Sequence, residues 1–332
     1  MPDATVSKTS VQYLGHTLRT PIIVSSSGLS NTMSGIRRIS EAGAGAIVLK
    51  SLFEEQIEST IGTDGQEVGL GMHPEAEQYI SQMTMHLGPQ RYLDTISEAK
   101  AAVDIPIIAS MNCVSSKWWG NYGEQIQAAG ADAVELNIAL MPRTESESPD
   151  AVESRYVKIV NRVRQQINLP LAVKIGPYFT SLPRFAVELR KAGASALVLF
   201  NRFYQMDIDI EAESLAPGYQ FSTPEEIYTS LRWISILSGD VGCDLSASTG
   251  VHNTDGVIKQ LLAGATTVQM CSALYRNGID TITRIQDELV AWMERKGYKS
   301  ISDFQAKLSQ SNSDDPESYE RLQYIKALTG IS

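Results

Sequence analysis

The chain has 332 residues, of which 43% are hydrophobic and 20% charged, enough apolar material for a large core. Disordered and fibrous classes are thereby excluded. With 28 Lys and Arg against 38 Asp and Glu, the net charge of −10 suits neither nucleic acid nor an anionic membrane, both of which reward clustered positive charge.

In chain order, residues 1–20, ending VQYLGHTLRT, read as a hairpin that closes the lower end of a barrel. Short apolar runs then alternate with helical patterns. The strands are Pro21–Ser26, Ala46–Ser51, Pro106–Met111, Ala133–Ile138, Leu171–Ile175, Ala196–Asn201, Asp244–Ser248 and Thr267–Ser272. The helices are Ser34–Glu41, Asp94–Val103, Asn121–Ala129, Ala151–Gln166, Leu182–Lys191, Pro224–Leu237, Asp255–Leu262 and Ile279–Lys296. Near-continuous apolar runs are what strands covered on both faces look like. Several helices stop at an Ala-Gly-Ala segment (EAGAGAIVL, QAAGADAVEL, RKAGASALVL, LLAGATTVQM), a C-cap followed by close helix–strand packing. The tail Gly297–Ser332 is polar and helical and reads as surface packing.

Eight strand–helix units in about 280 residues predict an α/β protein with one (β/α)8 TIM barrel as a single domain over 1–332. The rival, a doubly wound open sheet, usually advertises GxGxxG after its first strand. SSSGLSNTMSG stands there instead. The three long connections, Leu52–Gln90, Ala139–Asp150 and Arg202–Thr223, all follow strands, which in a barrel puts them over the C-terminal face where active sites sit.

Cys113, Cys243 and Cys271 have neither CxxC nor zinc-like spacing, which fits a reducing cytosol and no metal site. The first residues, MPDATVSKTS, carry neither a basic n-region nor an apolar h-region. No apolar run approaches the ~20 residues of a membrane span, so a cytoplasmic protein is expected.

Polar residues at the strand tips carry the functional signal. They are Ser25, Ser26, Ser27 and Gly28, then Lys50-Ser51, Asn112, Asn137 and Lys174, and finally Asn201-Arg202, Ser248-Thr249-Gly250 and Cys271-Ser272. Lys50 and Lys174 lie in apolar strands, where an unpaired ammonium costs heavily. A ligand with negative or electron-rich oxygens would offset that cost, and so would a structural pair with Glu135. The segments STG and CS fall where barrels often hold a phosphate, although Gly250 could serve the turn alone.

From YLGHTLRTPIIVSSSG to RKGYKSISDFQAKL, this layout resembles the dihydroorotate dehydrogenases, FMN-containing (β/α)8 flavoproteins. AGAIVLKS, IIASMN, GADAVELNI, LAVKIGPYF and GATTVQMCSALYRNG carry the resemblance by their order and spacing. It implies FMN contacts at Ser26, Ser27, Gly28, Lys50, Ser51, Asn112, Asn137, Lys174, Asn201 and Ser248. Lys174 would face the flavin N1 end. Phosphate positions fall on Thr249-Gly250 and Cys271-Ser272, where the family has Gly-Gly and Gly-Thr. Substrate contacts are implied at Lys50, Gly71, Met72, Asn137, Asn201 and Arg202. The family's soluble class implies a homodimer.

The substrate side departs from the pattern. Where the family shows Asn-x-Ser-Cys-Pro-Asn, this chain reads Asn137-Ile138-Ala139-Leu140-Met141-Pro142, and Leu140 cannot accept a proton. Val68 and Pro74 stand near two positions expected to be Asn. Replacement bases are His73, Cys113 and Tyr204, weighed against a loop histidine and a small buried hydrophobe. Arg202 could grip a carboxylate or pair with Asp207 or Asp209. Trp118 and Trp119 roof the site, seed a subunit contact or simply pack; His252 and Asn253 cap a helix.

The expectation is an FMN-dependent oxidoreductase acting on a CH–CH group of a small substrate, pyrimidines included. The alternatives are a flavin protein with another substrate or no dehydrogenase activity, a flavin-free lyase using Lys50 or Lys174 as a Schiff base, and an interaction protein on an inherited barrel.

Overall fold

The chain enters through an antiparallel hairpin, β1 (Val11–Tyr13) and β2 (His16–Leu18), turned by Leu14 and Gly15, both at positive φ. The Leu14 N–H donates to Asp244 Oδ2 at 2.9 Å, and His16 Nε2 lies 3.1 Å from the Asp132 carbonyl oxygen. Asp244 starts one barrel strand and Asp132 immediately precedes another, so these bonds tie the hairpin to the lower end of the barrel. The structure is a computed structural model and describes residues 7–61, 88–113, 119–142, 144–202, 205–218 and 220–330.

The remaining strands are β3 (Ile22–Val24), β4 (Ala46–Val48), β5 (Leu52–Phe53), β6 (Ile107–Cys113), β7 (Ala133–Ile138), β8 (Leu171–Ile175), β9 (Ala196–Leu199), β10 (Gln205–Asp209), β11 (Ser214–Gly218), β12 (Asp244–Ser248) and β13 (Thr267–Met270). Eight of them run in the order β4-β3-β13-β12-β9-β8-β7-β6, every pair parallel, and the β4–β6 pairing closes the ring. Their residues are almost uniformly buried, because the barrel interior covers one face and the helices the other. This is the expected (β/α)8 barrel. The short β5 lies against the upper end of β6, which lengthens β6 to Cys113.

The helices are α1 (Met33–Glu41), α2 (Glu54–Ile61), α3 (Pro89–Ala102), α4 (Trp119–Ala128), α5 (Pro149–Arg164), α6 (Leu182–Lys191), α7 (Ile227–Leu237), α8 (Thr254–Ala263), α9 (Ser272–Asn277), α10 (Thr281–Lys296) and α11 (Tyr319–Thr329). Side-chain caps start several: Thr32, Ser148 and Asn253 accept from Gly35, Ala151 and Gly256 N–H groups. The four Ala-Gly-Ala stops put Gly43, Gly130, Gly193 and Gly264 at φ 93°, 96°, 113° and 119°, the left-handed turn that releases the chain into the next strand.

Several elements differ from expectation. β3, β9 and β13 end two residues early and β4 three, and Ser272 starts α9 instead of ending a strand. Pro224–Glu226 is a 3-10 turn before α7, held by the capping box of Thr223 and Glu226. The connection after β9 contains the hairpin β10–β11, whose first strand is exposed throughout, so no buried alternation marks it. The tail divides as well. Ile301 and Phe304 are buried, with Phe304 edge-on to Trp292 at 4.9 Å, whereas α11 lies on the surface.

Candidate active site

Alternation along the strands decides what enters the barrel. Asn112 registers with Asn137 and then Lys174, while Ser110 registers with Glu135, and these side chains share the inward face. Lys174 Nζ donates to Gln269 Oε1 at 3.0 Å and Ser25 Oγ at 3.1 Å, and lies 3.9 Å from Glu135 Oε1. Gln269 Nε2 in turn donates to Glu135 Oε2 at 2.6 Å. The structural pairing with Glu135 is therefore present, yet the lysine also lines a cavity at the mouth. Gln269 was not singled out from the sequence, although a lone amide in the run TVQM is the same kind of signal as Lys174 in LAVKI.

That cavity, about 100 Å³, gathers Ser26, Lys174, Asn201, Arg202, Ser248, Thr249, Gly250, Cys271 and Ser272. Two cations, hydroxyls and amides line it, and no carboxylate does. Thr249 adopts φ 76°, a glycine-like backbone for a β-branched residue, and its Oγ1 donates to the Phe200 carbonyl at 3.1 Å. Gly250 follows at φ 81°, and a Cβ there would meet Ile227 N at 2.2 Å, so the loop seats directly on the start of α7. Burial pushes the Cys271 thiol up, opposed by a hydrogen bond with Ser27.

The other expected residues sit around the same mouth. Ser26 Oγ accepts from Ser51 N at 2.9 Å, and Ser51 Oγ lies 2.7 Å from Ser110 Oγ, a hydroxyl chain tying three strand ends. Ser27 accepts from Leu29 N–H, and a Cβ on Gly28 would meet Tyr275 Oη at 2.7 Å. Asn201 Nδ2 donates to Asn137 Oδ1 at 2.9 Å. Asn112 is half-buried. Lys50, two residues past β4, is half-buried and has no hydrogen bond or ion pair among the described residues.

Several expectations need correction. Cys113 registers with Ile138 on the outward face, fully buried, and burial together with Glu54 and Glu55 raises its thiol well above the ordinary range. It cannot reach the mouth as a base. Arg202 pairs with neither Asp207 nor Asp209: its Nε meets Glu226 Oε2 at 2.9 Å and its Nη1 donates to the Gln220 carbonyl. Asn253 caps α8, while His252 is buried against Ser222 Oγ at 2.9 Å. Val68, Gly71, Met72, His73, Pro74, Trp118 and Tyr204 lie outside the described residues.

Leu140, at the position of the family's base, packs against the core. Its N–H donates to Tyr156 Oη at 3.2 Å and its carbonyl accepts from the same hydroxyl at 3.3 Å.

A family model described as dihydroorotate dehydrogenase matches residues 8–293. The chain belongs to the dihydroorotate dehydrogenase family. Among curated relatives, one from Thermoplasma acidophilum is 26% identical over 306 residues, covering 89% of this chain and 96% of the relative. One from Pyrococcus furiosus is 24% identical (88% and 96%), and one from Methanocella arvoryzae 26% (86% and 93%). All three are named dihydroorotate dehydrogenase B (NAD(+)), catalytic subunit. Membership makes this chain an oxidoreductase of the dihydroorotate dehydrogenase type, so the lyase and interaction-protein readings are not favoured. Among the described residues, no helix is long and apolar enough to cross a membrane.

Proposed function

We propose that this family member binds FMN across the barrel mouth and passes a hydride between the flavin and a CH–CH group of a small substrate. The observation that carries the reading is the donor set of the mouth cavity, with Lys174, Arg202 and hydroxyls facing it and no carboxylate among its walls. Such a set fits a phosphorylated, electron-rich ring.

When bound, FMN supplies the two-electron acceptor. The segments Thr249-Gly250 and Cys271-Ser272 would hold its phosphate through backbone N–H groups, with Ser248 beside them. Lys174 would offset negative charge on the reduced ring. Ser26, Ser27, Gly28, Ser51 and Asn112 would border the ring, and Lys50, Asn137 and Asn201 would stand between ring and substrate. The bond between Asn201 and Asn137 holds both amides in place before any ligand arrives. Arg202, anchored by Glu226, supports the rim. With Leu140 unable to hold a proton and Cys113 turned outward, we assign proton transfer to His73, and the resemblance assigns substrate contacts to Gly71 and Met72. The relatives' printed name, catalytic subunit, points to assembly with further chains; a cytoplasmic homodimer is the assembly the family resemblance implies.

The test is the visible spectrum of the untreated protein. A yellow protein with flavin absorption is expected, and anaerobic addition of dihydroorotate then asks whether that compound bleaches it. A colourless preparation that takes up no FMN would refute the reading.

A further inference from the structure

A second cavity, about 380 Å³, opens beside the mouth between the segment after β7, the start of α5 and the segment after β8. Its walls include Leu140, Met141, Pro142, Tyr156, Tyr178 and Phe179, with the carboxylates Glu147 and Glu153 also on the lining, and it shares Asn201 with the cavity assigned to FMN. The two spaces therefore share one amide on their walls. Protein interiors are close-packed and seldom leave voids of this size. A largely apolar hollow with a few polar groups on its walls is the usual form of a small-molecule site.

The walls are preformed. Tyr156 Oη holds both the N–H and the carbonyl of Leu140. Phe179 stacks on Phe185 of α6 at 4.2 Å and meets Tyr156 edge-on at 5.3 Å. These contacts fix one wall from two helices, so a guest need not first order the pocket.

We infer that this cavity is a specificity pocket for an aromatic arm of the substrate, whose polar end remains at the amides of Asn137 and Asn201. Room for a benzene ring requires only about 150 Å³ of apolar cavity, so the pocket holds an aryl group with its linker. The substrate class is an aryl-bearing carboxylic acid, larger and more apolar than a bare pyrimidine ring. Lys174, in register with Asn137 on the neighbouring strand β8, is the cation nearest in topology but is held by Glu135. Half-buried Lys50, two strands around the ring in the other direction and with no ion pair among the described residues, is therefore the one assigned to receive the acid group. The inference rests on the oxidoreductase reading for the reaction but on the cavity alone for recognition.

The experiment is calorimetric titration of the full-length protein, as purified, with 3-phenylpropionate and with butyrate. Burial of the ring is expected to make the phenyl acid bind about tenfold tighter or more. Ala139→Phe, which puts a ring into the cavity from its wall, should erase that preference. Tyr178→Ala should weaken the phenyl acid several-fold, and because Tyr178 is 74% exposed this variant keeps the assay valid if Ala139→Phe fails to fold. Equal binding of the two acids by the unaltered protein, or a preference surviving in both variants, would overturn the pocket. A colourless protein that still prefers the phenyl acid would instead overturn the flavin reading and leave the pocket standing.

Discussion

Lys174 and Glu135 face each other inside the barrel, Nζ 3.9 Å from Oε1, and Gln269 bonds to both at 3.0 and 2.6 Å. Glu135 Oε1 has no hydrogen bond of its own among the described residues. The carboxylate thus depends on the ammonium, which is also the cation facing the proposed flavin.

Removing one partner of a buried pair leaves an uncompensated charge and costs about 3–5 kcal/mol. Lys174→Met is expected to fall by that order in denaturant unfolding and to lose flavin on gel filtration. Adding Glu135→Gln should recover most of the stability but not the flavin. Recovery of both would make the lysine purely structural.

The two residues of the turn after β12 should respond with opposite signs. Thr249 holds a left-handed backbone at a cost of about 1–2 kcal/mol, partly offset by its bond to Phe200. Thr249→Gly is expected to leave thermal stability equal or higher. Gly250→Ala brings a Cβ against the α7 backbone and should destabilise by more than about 1 kcal/mol while weakening FMN retention. Melting curves and flavin content of the two variants check the signs.

His252 is buried beside Ser222, and burial with Arg276 lowers its pKa below 6.5, outweighing the opposing pull of Glu226 and Glu225. A depressed histidine favours its neutral form in the folded state. Its stabilisation is therefore complete above about pH 6.5 and declines as pH falls toward the folded value. Melting temperature should fall between about pH 7 and 5, and His252→Asn should flatten that slope. An unchanged slope would show that other groups carry it.

Much of the barrel is legible in the chain itself. β7, β8, β12 and α6 have the boundaries their apolar runs predict, and each Ala-Gly-Ala segment ends a helix in the left-handed turn that its glycine permits. Lys174 and the turn at Thr249-Gly250 stand out for a local reason too, being polar or conformationally special residues among apolar ones. Cys113 is different. A strand buried on both faces lacks the polar alternation that would mark its inward side, so neither Asn112 nor Cys113 announces its direction.

Local periodicity and turn chemistry, which act over a few residues, were sufficient to set the order of the eight barrel strands, the helix stops and the polar strand tips. Which tips converge is a long-range matter. Arg202 finds Glu226 across 24 positions, Gln269 reaches Glu135 across 134, and the hollow beside Leu140 exists only because α5 and the segment after β8 meet there. Contacts between distant segments depend on strand register and helix packing, and neither is written in the run of residues on one side of the contact.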